Sequence, residues 1–172
     1  YKLNMAQSGT KACQNDGLIS ATRTDDIANL WKARKALSPL LREIAPKKIN
    51  EDVVVPVNTL PQFLDNVTQL STHYKINNVN FGHAGNGNIH VNLLINPDDP
   101  DEVSRAACCL DEIFNLVIKL RGTLSGEHGI GSEKRAFVTK EIDFATLDLM
   151  KGIKKVFDPA NILNPGKLFP QN

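Results

Sequence analysis

Between Asn88 and Asn96 the chain alternates with a period of two: Ile89, Val91, Leu93 and Ile95 fall on one side, His90, Asn92 and Leu94 on the other. Successive side chains of a strand point to opposite faces, so this segment is predicted to be a strand over residues 89–96 with one aliphatic face. His90 and Asn92 then share the opposite face. Residues 79–83 read as its antiparallel neighbour, joined through the tight loop Ala84-Gly85-Asn86-Gly87-Asn88. Asp52-Val53-Val54-Val55-Pro56-Val57 reads as a further strand ended by proline, and residues 18–22 as a short one.

Elsewhere the apolar spacing is three and four. Ile27, Leu30, Trp31, Arg34 and Leu37 mark one helix face, opened by Thr24, Asp25 and Asp26 and closed by Pro39 and Pro46. A second helix carries Leu60, Phe63, Val67, Leu70 and Tyr74, capped by Asn58 or Thr59. A third runs from Asp98-Asp99-Pro100-Asp101 through Val103, Leu110, Ile113, Phe114 and Val117 to a stop at Gly122. Residues 2–15 read as weakly helical, Ser132-Glu133 as the start of a short helix and residues 143–157 as another. The proline-punctuated tail from Phe157 to Phe169 needs something to dock on if it is to be ordered. Strands and helices with one clear hairpin predict an α+β fold, a largely antiparallel sheet with helices packed on it. Gly82, Gly85 and Gly87 lie inside a hairpin, the wrong context for a dinucleotide fingerprint.

Composition narrows the functional classes. A formal net charge of +1 with 23% charged residues gives no electrostatic case for nucleic acid or an anionic membrane. The 41% apolar residues come in short blocks, none long enough to span a bilayer. Cys13, Cys108 and Cys109 form no disulfide framework and read as small core residues in a reducing, cytoplasmic setting. The chain starts at Tyr1 in what reads as the middle of a helix, which suggests a piece of a larger protein.

Two glycine-dense segments hold the candidate chemistry: Gly82-His83-Ala84-Gly85-Asn86-Gly87-Asn88-Ile89-His90 and Ser125-Gly126-Glu127-His128-Gly129-Ile130-Gly131. Cross-strand partners stand about 5 Å apart, so His83 and His90 on one face could share a cation. Glu127 would supply a third ligand, giving the two-histidine, one-carboxylate set of many zinc and other divalent-metal sites. His128 beside it would be free as a proton acceptor. The bland reading is a set of packed or hydrogen-bonded histidines. His73 reads as a surface or capping residue, and Lys134 and Arg135 as solvated helix residues next to the loop. Arg34 occupies a position that calls for an apolar side chain. It either snorkels along Trp31 or binds an anion.

These segments, with Asp158-Pro159 and Asn164-Pro165-Gly166-Lys167, resemble the C-terminal domain of FAD-linked oxidases, in the branch of D-lactate dehydrogenase, glycolate oxidase FAD subunit and D-2-hydroxyglutarate dehydrogenase. The resemblance runs from about Asp25 to the C-terminus. It implies a ferredoxin-like α+β domain, residues 1–172, truncated at its N-terminal edge and separated from its own FAD-binding domain. It also implies a small 2-hydroxy acid as substrate, FAD and a divalent metal, zinc by preference, as cofactors, and an electron acceptor. A homodimer and a multi-subunit oxidase, cytoplasmic or peripherally attached to a membrane, are both compatible with it. Carried over by position, His83, His90 and Glu127 match the metal ligands and His128 the base that takes the hydroxyl proton as hydride passes from C2 to flavin. Arg34, Asn92 and Ser38 match substrate contacts, and Asn164 a contact toward the flavin side. Asn86 stands where the family usually has aspartate. Without the resemblance, a metal-dependent hydrolase built on His83, His90 and Glu127 ranks first, ahead of a non-catalytic interaction module.

Overall fold

The computed structural model describes residues 2–4 and 18–170. Two short strands, β1 (Lys2–Asn4) and β2 (Leu18–Ser20), pair antiparallel. Residues 2–4 are therefore strand and not the helix their spacing suggests; residues 5–15 of that expected helix, with Cys13, lie outside the described residues. Helix α1 (Thr24–Ile44) follows, with Asp25 and Asp26 in its first turn, where carboxylates oppose the positive end of the helix dipole. Pro39 does not end it: the helix runs on to Ile44. Pro39 and Lys35 both lie on its exposed side, so the carbonyl that proline leaves without a donor is on the solvent side of the helix.

The main sheet has three antiparallel strands in the order β3-β5-β4: β3 (Lys47–Val54), β4 (Asn77–His83) and β5 (Asn88–Ile95). β5 is central and buried along its whole length. Helix α2 (Leu60–Tyr74) precedes β4 and α3 (Pro100–Lys119) follows β5. The capping expected of Asn58 or Thr59 is replaced by a 3-10 turn over Val57–Thr59, in which the Thr59 hydroxyl donates to the Pro56 carbonyl instead. Asp99 does cap α3, accepting from the backbone N–H of Asp101 and Glu102. Cys109 is in the core as expected, whereas Cys108 is exposed because it sits on the outer side of α3.

Alternation along β5 divides the molecule. Ile89, Val91, Leu93 and Ile95 join Phe63 and Val67 of α2 and Ile113, Phe114 and Val117 of α3 in one core. Direct cross-strand partners share a face, so pairings of Asp52 with His90, Asn50 with Asn92 and Phe81 with His90 define the other. The second face carries Lys48, Asn50, Asp52, Phe81, His83, His90 and Asn92. After α3, Thr123 makes a single bridge to Val54, which extends the sheet just far enough to aim residues 125–131 at the polar face. A 3-10 segment (Arg135–Lys140) and helix α4 (Phe144–Phe157) follow. The tail docks as its prolines require: Leu168 N–H donates to the Gly131 carbonyl and Arg135 to that of Gly166.

Candidate active site

His83 and His90 lie on one face, but not opposite each other. The register pairs His83 with Asn88 and Phe81 with His90, so the two imidazoles are diagonal neighbours with ring centroids 6.1 Å apart. The turn that sets this register needs Gly87, whose φ is +77° and whose Cβ would fall 2.0 Å from the Val55 carbonyl. Gly85 meets no such limit. Glu127 arrives from the loop after Thr123. Its Oε1 lies 3.0 Å from Nε2 of His90 and 4.0 Å from Nε2 of His83. One ligand atom from each of the three residues falls within 4.8 Å of the others. Gly126 makes this approach possible, since a Cβ there would overlap the Asn88 side chain.

The donor chemistry fits a divalent cation. Burial holds His90 below the ordinary imidazole value, opposed by the Glu127 charge and reinforced by His128 and Arg34, which favours the neutral form that ligates metal. Its Nδ1 is buried and has no hydrogen-bond partner among the described residues. Two imidazoles and a carboxylate leave positions open for an incoming oxygen.

His128 stands 5.2 Å from His90, ring centroid to ring centroid. Its backbone N–H and that of Glu127 donate to the same Asp52 oxygen, at 2.9 and 2.5 Å. Its Nδ1 faces the other Asp52 oxygen at 3.4 Å. Asp52 is fully buried. Desolvation pushes its carboxyl up, but the Glu127 N–H, Lys134 and the His128 N–H outweigh it and bring the value down to about 2. Lys134 corrects the sequence reading most sharply. It is 3% exposed, and its ammonium donates to the Asp52 carboxylate, to the Asp52 carbonyl at 2.8 Å and to the Leu124 carbonyl at 2.7 Å. Glu51, raised by burial and restrained by the lysine, lies 3.4 Å from the same nitrogen.

Arg34 lies on the inner side of α1 with its guanidinium 4.5 Å from the centre of the Phe81 ring, not along Trp31, which is turned out to solvent. Ser38, one turn on, accepts a hydrogen bond from Lys48 at 2.7 Å. Asn92 is buried. Its Nδ2 donates to the carbonyls of Val79 and His90, leaving Oδ1 without a partner among the described residues. The same holds for the buried Oδ1 of Asn50, directly opposite. Of the expected residues, His83, His90, Glu127, His128, Arg34 and Asn92 gather on this face, with Ser38 at its edge. Asn164 does not join them: it is exposed in the tail, and no hydrogen bond or ion pair links it to them among the described residues. Asn86 caps its own turn, accepting from the Asn88 N–H at 3.4 Å.

Residues 3–168 match the family described as FAD linked oxidases, C-terminal domain. The chain belongs to this family. It is 34% identical over 155 residues to the glycolate oxidase subunit GlcD of Bacillus subtilis (strain 168), covering 90% of this chain and 33% of that protein. It is 37% identical over 159 residues to the D-2-hydroxyglutarate dehydrogenase of Stutzerimonas stutzeri (strain A1501), covering 90% and 33%. A probable mitochondrial D-lactate dehydrogenase of Danio rerio is 35% identical over 143 residues, covering 82% and 29%. The chain spans about a third of the length of these relatives. The three-stranded antiparallel sheet with its helices agrees with the α+β class expected of this family domain. No helix among the described residues is long and apolar enough to cross a membrane.

Proposed function

We propose that this chain is the substrate- and metal-binding domain of a flavoenzyme that oxidises a small 2-hydroxy acid of the lactate or glycolate type. The observation that carries the reading is the convergence of Arg34, Asn92, His83, His90, Glu127 and His128 on one sheet face. When bound, FAD would supply the hydride acceptor, and a divalent cation, zinc by preference, held by His83, His90 and Glu127 would supply positive charge beside the 2-hydroxyl.

The chain's own residues do the rest. Arg34 offers its guanidinium fork to the substrate carboxylate, and stacking on Phe81 holds that fork in one plane. Lys48 and Ser38 border the same end of the face. The free Oδ1 of Asn92 accepts a hydrogen bond from substrate, which satisfies a buried acceptor that otherwise costs about 1–3 kcal/mol. His128 takes the hydroxyl proton while the hydride leaves C2. The side chains of His83, Glu127 and His128 are 43, 49 and 44% exposed, so the face is open to a cofactor presented from outside the chain. That openness speaks against a self-contained hydrolase, whose pocket would close within its own walls. We further infer that the flavin lies on a separate domain of the complete gene product, with Asn164 and the tail on the side facing it, and that electrons pass onward to a separate acceptor.

The test is anaerobic mixing of the flavin-loaded gene product with a panel of 2-hydroxy acids. Bleaching of the flavin by at least one D-2-hydroxy acid or glycolate is expected. Failure of all of them contradicts the proposed reaction.

A further inference from the structure

Residues 125–131 have no helix or strand to hold them, yet both Glu127 and His128 must be placed from this stretch. Three glycines in it add backbone freedom. What fixes it is one buried carboxylate. Asp52, on β3 and opposite His90, receives two consecutive backbone N–H groups of the loop through one oxygen, while its own carbonyl receives the Gly126 N–H at 3.4 Å. Its other oxygen faces Nδ1 of His128. A lysine ammonium has three N–H donors, and Lys134 directs them at the Asp52 carboxylate, the Asp52 carbonyl and the carbonyl of Leu124, at the entry to the loop. A buried ionised carboxylate without partners would be strongly unfavourable, and the Glu127 N–H, Lys134 and the His128 N–H together keep Asp52 charged in place.

We propose that Asp52, held by Lys134, is the positioning residue that makes His128 a base: it takes the Nδ1–H, so that the lone pair on Nε2 faces the reacting hydroxyl. The assignment rests on the proposed oxidation of a 2-hydroxy acid for its chemistry, but the tautomer it specifies stands independently of it. Which ring nitrogen carries the proton is set by the hydrogen bond the other makes. The 3.4 Å separation is long for a hydrogen bond, and such contacts tighten when substrate is bound. Once His128 has accepted the proton, the same carboxylate stabilises the imidazolium. Asparagine at this position keeps an oxygen for the Glu127 and His128 N–H groups, and its amide NH2 then replaces the oxygen that Lys134 and Nδ1 share; an N–H presented to Nδ1 reverses the tautomer and turns Nε2 into a donor.

The test uses the flavin-loaded gene product with nitrogen-isotope-labelled histidine, at about pH 8, above the ordinary imidazole range. Long-range proton–nitrogen spectra, assigned by the signal lost in His128→Gln, are expected to show wild-type His128 protonated at Nδ1 and the Asp52→Asn variant protonated at Nε2. A wild-type His128 protonated at Nε2 overturns the proposal, whatever the protein oxidises, and decides the matter even if the variant does not fold. With a substrate that bleaches the wild type, Asp52→Asn should slow flavin reduction about ten-thousandfold, the scale seen when an orienting aspartate is lost beside a histidine base. The asparagine oxygen can still accept the Glu127 and His128 N–H groups, so KM and metal content should change far less than the rate. Reduction at the wild-type rate overturns the proposal, as does a fall confined to KM or to metal content. Failure of the wild type to reduce with any 2-hydroxy acid counts against the reaction alone and leaves the tautomer result standing.

Discussion

The two faces of the central strand differ in what their side chains need. Ile89, Val91, Leu93 and Ile95 need only volume and apolar neighbours, which α2 and α3 supply. On the opposite face His90 and Asn92 are just as buried, yet among the described residues His90 Nδ1 and Asn92 Oδ1 lack hydrogen-bond partners. The first face is complete within the chain. The second leaves buried polar atoms without partners among the described residues, and its loop is held mainly by hydrogen bonds and ion pairs around Asp52 and Lys134. Stability and function are thus separated by a period-two alternation, and substitutions can address them one at a time.

The largest effect on folding belongs to the apolar face. Phe114→Ala, at a fully buried position, is expected to lower unfolding stability by about 3–5 kcal/mol in denaturant titration. A loss below about 1 kcal/mol would mean that α3 is not part of the core. On the polar face, His90→Ala should reverse the pattern: metal affinity falls by more than about a hundredfold, measured by competition with a chelator, while stability without metal falls by no more than about 1 kcal/mol. Equal losses in both would erase the distinction between the faces. Arg34→Lys keeps the charge but gives up the fork and the planar stack on Phe81. It should raise KM for the hydroxy acid about tenfold with kcat changed less, and an unchanged KM would remove Arg34 from the carboxylate site.

The smallest effect lies away from both faces, in the tail. Asp158 is held below the usual carboxylate range by Lys154, against the effect of burial, and accepts the N–H groups of Ile162 and Leu163. A carboxyl lowered on folding contributes stability that is present above its unfolded value and lost as pH falls through its lowered value. Amide exchange at Ile162 and Leu163 should therefore accelerate only under acid conditions, and Asp158→Asn should remove that dependence. Exchange that ignores both acid and the substitution would show that Asp158 does not hold the tail.

Much of this was legible in the chain. The alternation from Ile89 to Ile95 placed His90 and Asn92 on one face, and the misfit of Arg34 on an apolar helix stripe marked a side chain in need of a partner, which the Phe81 ring supplies. Local patterns carry such information because neighbours along an element share its geometry. The exact pairing of His83 was not local: it depends on a hairpin register that the turn sets, which moved it from opposite His90 to the diagonal. Lys134 was missed because its partner, Asp52, lies 82 residues away, and no short-range signal marks a long-range ion pair. The one available hint was Asp52 itself, a charge at the head of Val53-Val54-Val55 in a strand that alternation would bury. Pro39 misled for the opposite reason, since a local rule yielded to an exposed site where its cost is small. Asn164 was placed by resemblance alone, and no hydrogen bond or ion pair among the described residues draws it toward the histidines.

The central claim is that His128 acts as base beside a metal held by His83, His90 and Glu127. The most direct measurement is metal content and anaerobic flavin reduction of His128→Ala in the complete gene product, compared with wild type under a 2-hydroxy acid that bleaches it. The account predicts wild-type metal content with flavin reduction slowed by about 10²–10⁴-fold, the contribution expected of a general base. Loss of the metal would make His128 a ligand, and reduction at the wild-type rate would remove it from the reaction; either result contradicts the account.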